Sequence, residues 1–148
     1  MRRRGRECAL QILYQMDVNR ELENNGQKVN VDKAINYFWQ SFENVDEEDR
    51  NFAECLIRGV TANLHDLDEA IAKVSQNWRV ARMGKVDRCL IRVAAYEILY
   101  CPDIPRVVSI NEAVEIAKRF SGKESAAFVN GILDQVGGSE NTGSNQAI

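Results

Sequence analysis

Four arginines, Arg2, Arg3, Arg4 and Arg6, stand in the first ten residues against the single acid Glu7, which leaves a local charge of +3. Guanidinium groups grip phosphate through paired N–H donors and lie flat on aromatic or base planes, so this cluster is suited to an anion. A solvated basic face that only adds solubility is the competing reading. A second basic stretch carries Arg79, Arg82, Lys85, Arg88 and Arg92 around the lone acid Asp87. Between them lies an acidic run, Glu43, Asp46, Glu47, Glu48 and Asp49. With a net charge of −3, the chain is unsuited to indiscriminate polyanion binding while favouring anions in two places.

Catalytic and metal chemistry find little support. His65 is the only histidine and reads as a capping or surface residue. Cys8, Cys55, Cys89 and Cys101 are scattered without a Cys-x-x-Cys pair, which reads as reduced, mostly buried thiols in a cytoplasmic protein. No Ser/His/Asp or Cys/His constellation and no glycine-rich cofactor loop is present, so no enzyme, metal or cofactor is expected. The composition, 45% hydrophobic and 28% charged over 148 residues, is that of an ordered domain. No apolar run reaches membrane-spanning length. Gln11, Gln15 and Asp17 interrupt what would otherwise follow MRRRGRE as a signal-peptide core.

The elements that must position these residues all read as helices. Ala9, Ile12, Leu13 and Met16 recur at helical spacing and predict a first helix over Arg3–Val18, with the arginines at its start, where the helix dipole disfavours cations. A polar loop over Arg20–Asn30 follows. A second helix over Asp32–Glu43 carries Ile35, Phe38, Trp39 and Phe42 as core residues. A third, entered through acids, ends near Leu64 and spaces Phe52, Leu56 and Val60 for the core. Leu67, Ile71, Val74 and Trp78 mark a fourth, and Met83-Gly84 breaks the chain before a central helix over Val86–Tyr100. That central helix is apolar over most of its circumference, leaving a narrow stripe of Lys85, Arg88 and Arg92, so other elements must wrap it. Glu97 projects into its apolar face and is expected to be buried and paired, with the start of the next helix a candidate partner. After Pro102 and Pro105, Ser109 and Glu112 fit a capping box opening a sixth helix that stops at Ser121-Gly122. A seventh covers Ser125–Val136, with Phe128, Ile132, Leu133 and Val136 inward and Gly131 allowing close backbone approach. Residues 138–148 read as a flexible tail.

This order of features resembles the NusB family of bacterial transcription antitermination factors. The matching stretches are RRRGRECALQILYQMD, GKVDRCLIRVAAYEIL, DIPRVVSINEAVEIAKRF and SAAFVNGILD, with a weaker match in RNFAECLIRGV. The resemblance implies an all-α domain over residues 1–137, about seven helices in two packed sub-bundles, roughly 1–64 and 65–137, around the central helix. It implies binding of single-stranded boxA-type RNA, chiefly in ribosomal transcripts, together with NusE, a small-subunit ribosomal protein. Other Nus factors and RNA polymerase complete the larger complex; no membrane is involved. Arg2, Arg3, Arg4 and Arg6 would contact phosphates, and Tyr14, Phe120 and Phe128 match aromatic positions lining the family's RNA surface. Glu124 replaces an aspartate found in a relative. Asp87 matches an acidic NusE contact, with Arg82, Lys85 and Arg88 as neighbours on that surface.

The RNA reading also stands on the residues themselves, since aromatics offer sequence-tolerant stacking platforms and Gln11, Gln15 and Glu124 can reach base edges. Phe120 and Phe128 fit core packing equally well. The alternative function is a helical protein-interaction module that uses the Arg79–Arg92 patch against an acidic partner without RNA.

Overall fold

The computed structural model describes residues 2–22, 30–41, 44–75 and 80–137. The expected Arg20–Asn30 loop lies largely outside these residues, as do Phe42, Trp78, Arg79 and the segment after Gly137. The chain divides into two units, Met1–Leu64 and His65–Ile148.

In the first unit, α1 (Arg3–Val18) packs on α3 (Glu47–Ala62), and α2 (Val31–Ser41) packs on both. Cys8, Ala9, Ile12, Leu13 and Met16 form the buried stripe of α1, and Ala53, Leu56, Ile57 and Val60 that of α3. Asp46 caps α3, its carboxylate accepting the Asp49 N–H at 2.8 Å, and Glu47, Glu48 and Asp49 complete an acidic first turn that suits the positive helix end. On α2 only Ile35 is buried. Phe38 and Trp39 are half-buried, and the Trp39 indole donates to Glu54 at 3.2 Å.

The second unit holds α4 (Leu64–Val74), which begins at the unit boundary, a short 3-10 turn (Val80–Arg82), α5 (Lys85–Tyr100), α6 (Arg106–Phe120) and α7 (Lys123–Gln135). Among the described residues these elements and the three helices before them make an all-α chain. Every residue from Arg88 to Ala95 is buried, and α6 and α7 pack against α5 and against each other. Glu97 is 1% exposed and accepts from the Ser109 hydroxyl at 2.9 Å, so it is buried and paired as its place in the pattern requires.

Several expectations need correction. The capping box at Ser109 does not form, because α6 starts a turn earlier at Arg106, behind Pro105, whose φ of −58° suits a helix entry. The Ser109 side chain is inside the helix and serves Glu97 instead. Gly131 makes no close approach: it is exposed, and a Cβ there would meet nothing within 4 Å. The close approach occurs at Gly5, where a Cβ would lie 2.9 Å from the Asp49 carbonyl oxygen and 3.2 Å from the Phe52 ring. Along the polar stripe of α5, Lys85 is exposed while Arg88 and Arg92 are both buried. Cys8 and Cys89 are buried as expected, Cys101 is half-buried, and Cys55 is exposed.

Two devices close the second unit. Gly122 takes φ of +101°, a backbone shape that side chains resist, and its N–H donates to the Ala117 carbonyl at 3.0 Å to end α6. The Arg106 guanidinium donates to the carbonyls of Leu133 at 2.9 Å, Asp134 at 2.5 Å and also Val136, satisfying the open C-terminal end of α7 with a cation, as the dipole favours.

Candidate nucleic-acid interface

The start of α1 lacks the usual means of stabilisation. Arg2 occupies its N-cap without a side-chain hydrogen bond, and the first turn holds no acid. What supports it comes from α3. The Gly5 N–H donates to Asp49 Oδ1 at 3.2 Å, a buried bond that satisfies one open donor and sets a carboxylate against the positive helix end. One turn further along α3, the Phe52 ring carries the guanidinium groups of Arg2 and Arg6 at 4.6 and 5.1 Å from its centre.

The four arginines are therefore not equivalent. Arg2 is exposed, and Arg3 and Arg4 are half-buried, with Arg4 lying 3.7 Å from Glu7. Arg6, also expected at phosphate, is only 4% exposed and packs against the Phe52 ring, so far less of it than of Arg2 is open to a ligand. Tyr14 and Gln15 lie exposed further along α1, and Gln11 is half-buried. Phe52 was expected in the core. Its half-buried position against two arginines is the feature that sequence reasoning missed, and the clue was a cationic helix start with no acid in its first turn.

The second unit brings Phe120, Glu124 and Phe128 to either side of the Gly122 turn. Phe120 is 46% exposed, which decides against core packing for it; Arg119 stands 6.0 Å from its ring. Glu124 is exposed in the first turn of α7, and Phe128 is half-buried. Beside Glu124, the Ser125 hydroxyl donates to Asp87 at the start of α5.

Around Asp87, Arg82 and Lys85 are exposed, but Arg88 is buried with Nη1 3.4 Å from the Val80 carbonyl, which takes it off the expected docking surface. Arg92 forms a bidentate pair with Asp68 of α4, both N···O distances 2.8 Å. His65 lies at the start of α4, exposed, 3.3 Å from Glu69. With Asp66 these donors come within 4.8 Å of one another, an exposed grouping of a kind common without an ion.

Burial also perturbs the acidity of one thiol on α1. Packing pushes the Cys8 thiol above the ordinary cysteine range; Arg4 pulls the other way, and Asp49 and Glu7 add to the rise.

Among the described residues the chain is all-helical, with an arginine-bearing first helix and an aromatic pair about a glycine turn. The model of the NusB family matches residues 3–137. The transcription antitermination protein NusB of Anaeromyxobacter dehalogenans (strain 2CP-1) is 48% identical over 135 residues, covering 91% of this chain and 89% of that protein. The solved T. maritima NusB is 34% identical, with a TM-score of 0.76 over 92% of this chain and 89% of that one. A crystal structure of antitermination factors NusB and NusE in complex with dsRNA shares the fold, at 17% identity and a TM-score of 0.77 over 93% of this chain and 96% of that chain. The chain belongs to the NusB family, and its role is transcription antitermination. Among the described residues no helix is long and apolar enough to cross a membrane.

Proposed function

We propose that this protein is a non-catalytic RNA-binding adaptor that takes a boxA-type single strand together with NusE, chiefly on nascent ribosomal transcripts, and joins other Nus factors on RNA polymerase in the cytoplasm to suppress termination. The observation that carries this reading is the exposed Arg2 guanidinium held on the Phe52 ring at the start of α1. An aromatic ring holds a cation without neutralising it, so the charge stays available to phosphate. The exposed Phe120 adds a stacking platform, Glu124 a base-edge acceptor, and Phe128 and Tyr14 partly open rings. Asp87, with Arg82 and Lys85 beside it, is the proposed NusE contact. A solved assembly of NusB and NusE with dsRNA, of the same fold, is in keeping with NusE and RNA as partners.

The alternative, a protein-interaction module using the basic stretch up to Arg92, loses ground because Arg88 and Arg92 face inward. The test is binding of a labelled boxA-type RNA against a scrambled strand, with and without NusE, over a range of salt. With Arg2, Arg3 and Arg4 as phosphate contacts, the slope of log K against log salt is expected near −2, at about −0.7 per contact on a single strand. Equal affinity for the two strands in the presence of NusE refutes the specific reading.

A further inference from the structure

We infer that Phe52 and Asp49 of α3 are positioning residues for RNA, fixing the backbone and the side chain that α1 presents to phosphate. The inference rests on the RNA-binding reading above and adds residues from a helix to which that reading assigns no contact. Asp49 and Phe52 are one turn apart and so share a face of α3. The carboxylate of Asp49, itself buried, takes the Gly5 N–H, and the ring of Phe52 takes the side chains of Arg2 and Arg6, which are one turn apart on α1. Gly5 lets the two helices come this close.

Three separate observations thus converge on one turn of α3: a buried hydrogen bond, a shared ring, and an approach that admits no Cβ. Their physical effect is to order Arg2 before RNA arrives. A long arginine side chain surrenders rotamer freedom when it grips a phosphate; one already held against a ring surrenders less, and Arg2 remains exposed. Arg6, buried and 5.1 Å from the centre of the same ring, packs the ring that carries Arg2.

The test compares wild type, Phe52→Leu and Phe52→Tyr for binding of a labelled single-stranded boxA-type RNA, each alone and combined with Arg2→Ala. Phe52→Leu is expected to weaken binding by about threefold to fivefold, the scale of one exposed cation–π contact, while Phe52→Tyr binds as wild type. In the Arg2→Ala background, Phe52→Leu has no further effect; a ring that only stabilised the fold would lower affinity equally in both backgrounds. Circular dichroism checks folding, and if Phe52→Leu loses helix content, Phe52→Met is read in its place. In the free protein the ring current shifts the Arg2 side-chain proton resonances upfield, and the shift disappears in the leucine variant. Unshifted resonances in wild type, or equal RNA affinity of wild type and Phe52→Leu, overturn the inference alone. Wild type that does not bind the RNA overturns the functional reading and this inference with it.

Discussion

Arginines at helical spacing occur at the start of α1 and along α5, and the two sets have opposite fates. On α5, Asp68 meets Arg92 with both carboxylate oxygens, and Arg88 turns toward the Val80 carbonyl, so these charges are consumed within the second unit. At the start of α1, the group facing Arg2 is an aromatic ring, which orders a cation and leaves its charge intact. The number of arginines does not separate a binding site from a structural ion pair. What stands opposite each guanidinium does.

The sharpest probe of that contrast is Asp68→Ala. It strands Arg92, whose Nη1 already has no acceptor among the described residues. Urea unfolding is expected to show a loss of about 2–3 kcal/mol, below the roughly 3–5 of a fully buried pair because Asp68 is 31% exposed. RNA affinity and its salt slope should not change, whereas Arg2→Ala should leave the unfolding midpoint in place and weaken RNA. If Asp68→Ala left stability unaltered, the pair would be ornamental and the contrast would collapse.

Next in size is a pair of glycine replacements. Gly5→Ala forces a methyl against the Asp49 carbonyl and should cost about 1–3 kcal/mol, with weaker RNA binding as α1 lifts from α3. Gly131→Ala, in open space on α7, should instead stabilise by about 0.5–1 kcal/mol, because alanine is the better helix former. Thermal midpoints of the two variants moving in the same direction would contradict the packing described.

The smallest effect is alkaline. Because burial raises the Cys8 pKa, the unfolded chain releases this proton before the folded one as pH climbs. The contribution to stability is complete below the unfolded thiol pKa and is lost as pH rises through the folded value. Comparing Cys8→Ala with wild type across that window should show a shallower alkaline decline in the variant; identical slopes would exclude the effect.

Periodicity alone located α1, whose predicted bounds match the observed Arg3–Val18, and the apolar character of α5 with Glu97 inside it. These are local signals, carried by residues three and four apart. The errors arise where a distant partner decides. Nothing near Arg92 announces Asp68, which lies 24 residues away, and nothing near Gly5 announces Asp49, 44 residues on. Ser109 and Glu112 satisfied a local capping rule, yet a proline entry farther upstream and the demand of buried Glu97 took precedence. Phe52 fitted a core spacing, yet its ring is half-buried and lies against Arg2 and Arg6 of α1.

The exposure of Cys55 has a practical consequence. It lies one turn beyond Phe52 on α3, while Cys8 and Cys89 are shielded and Cys101 is partly covered. A maleimide fluorophore added under native conditions should therefore attach first at Cys55 without any engineered mutation. The dye would sit one turn beyond Phe52 on α3, where its emission can be followed as ligand is added.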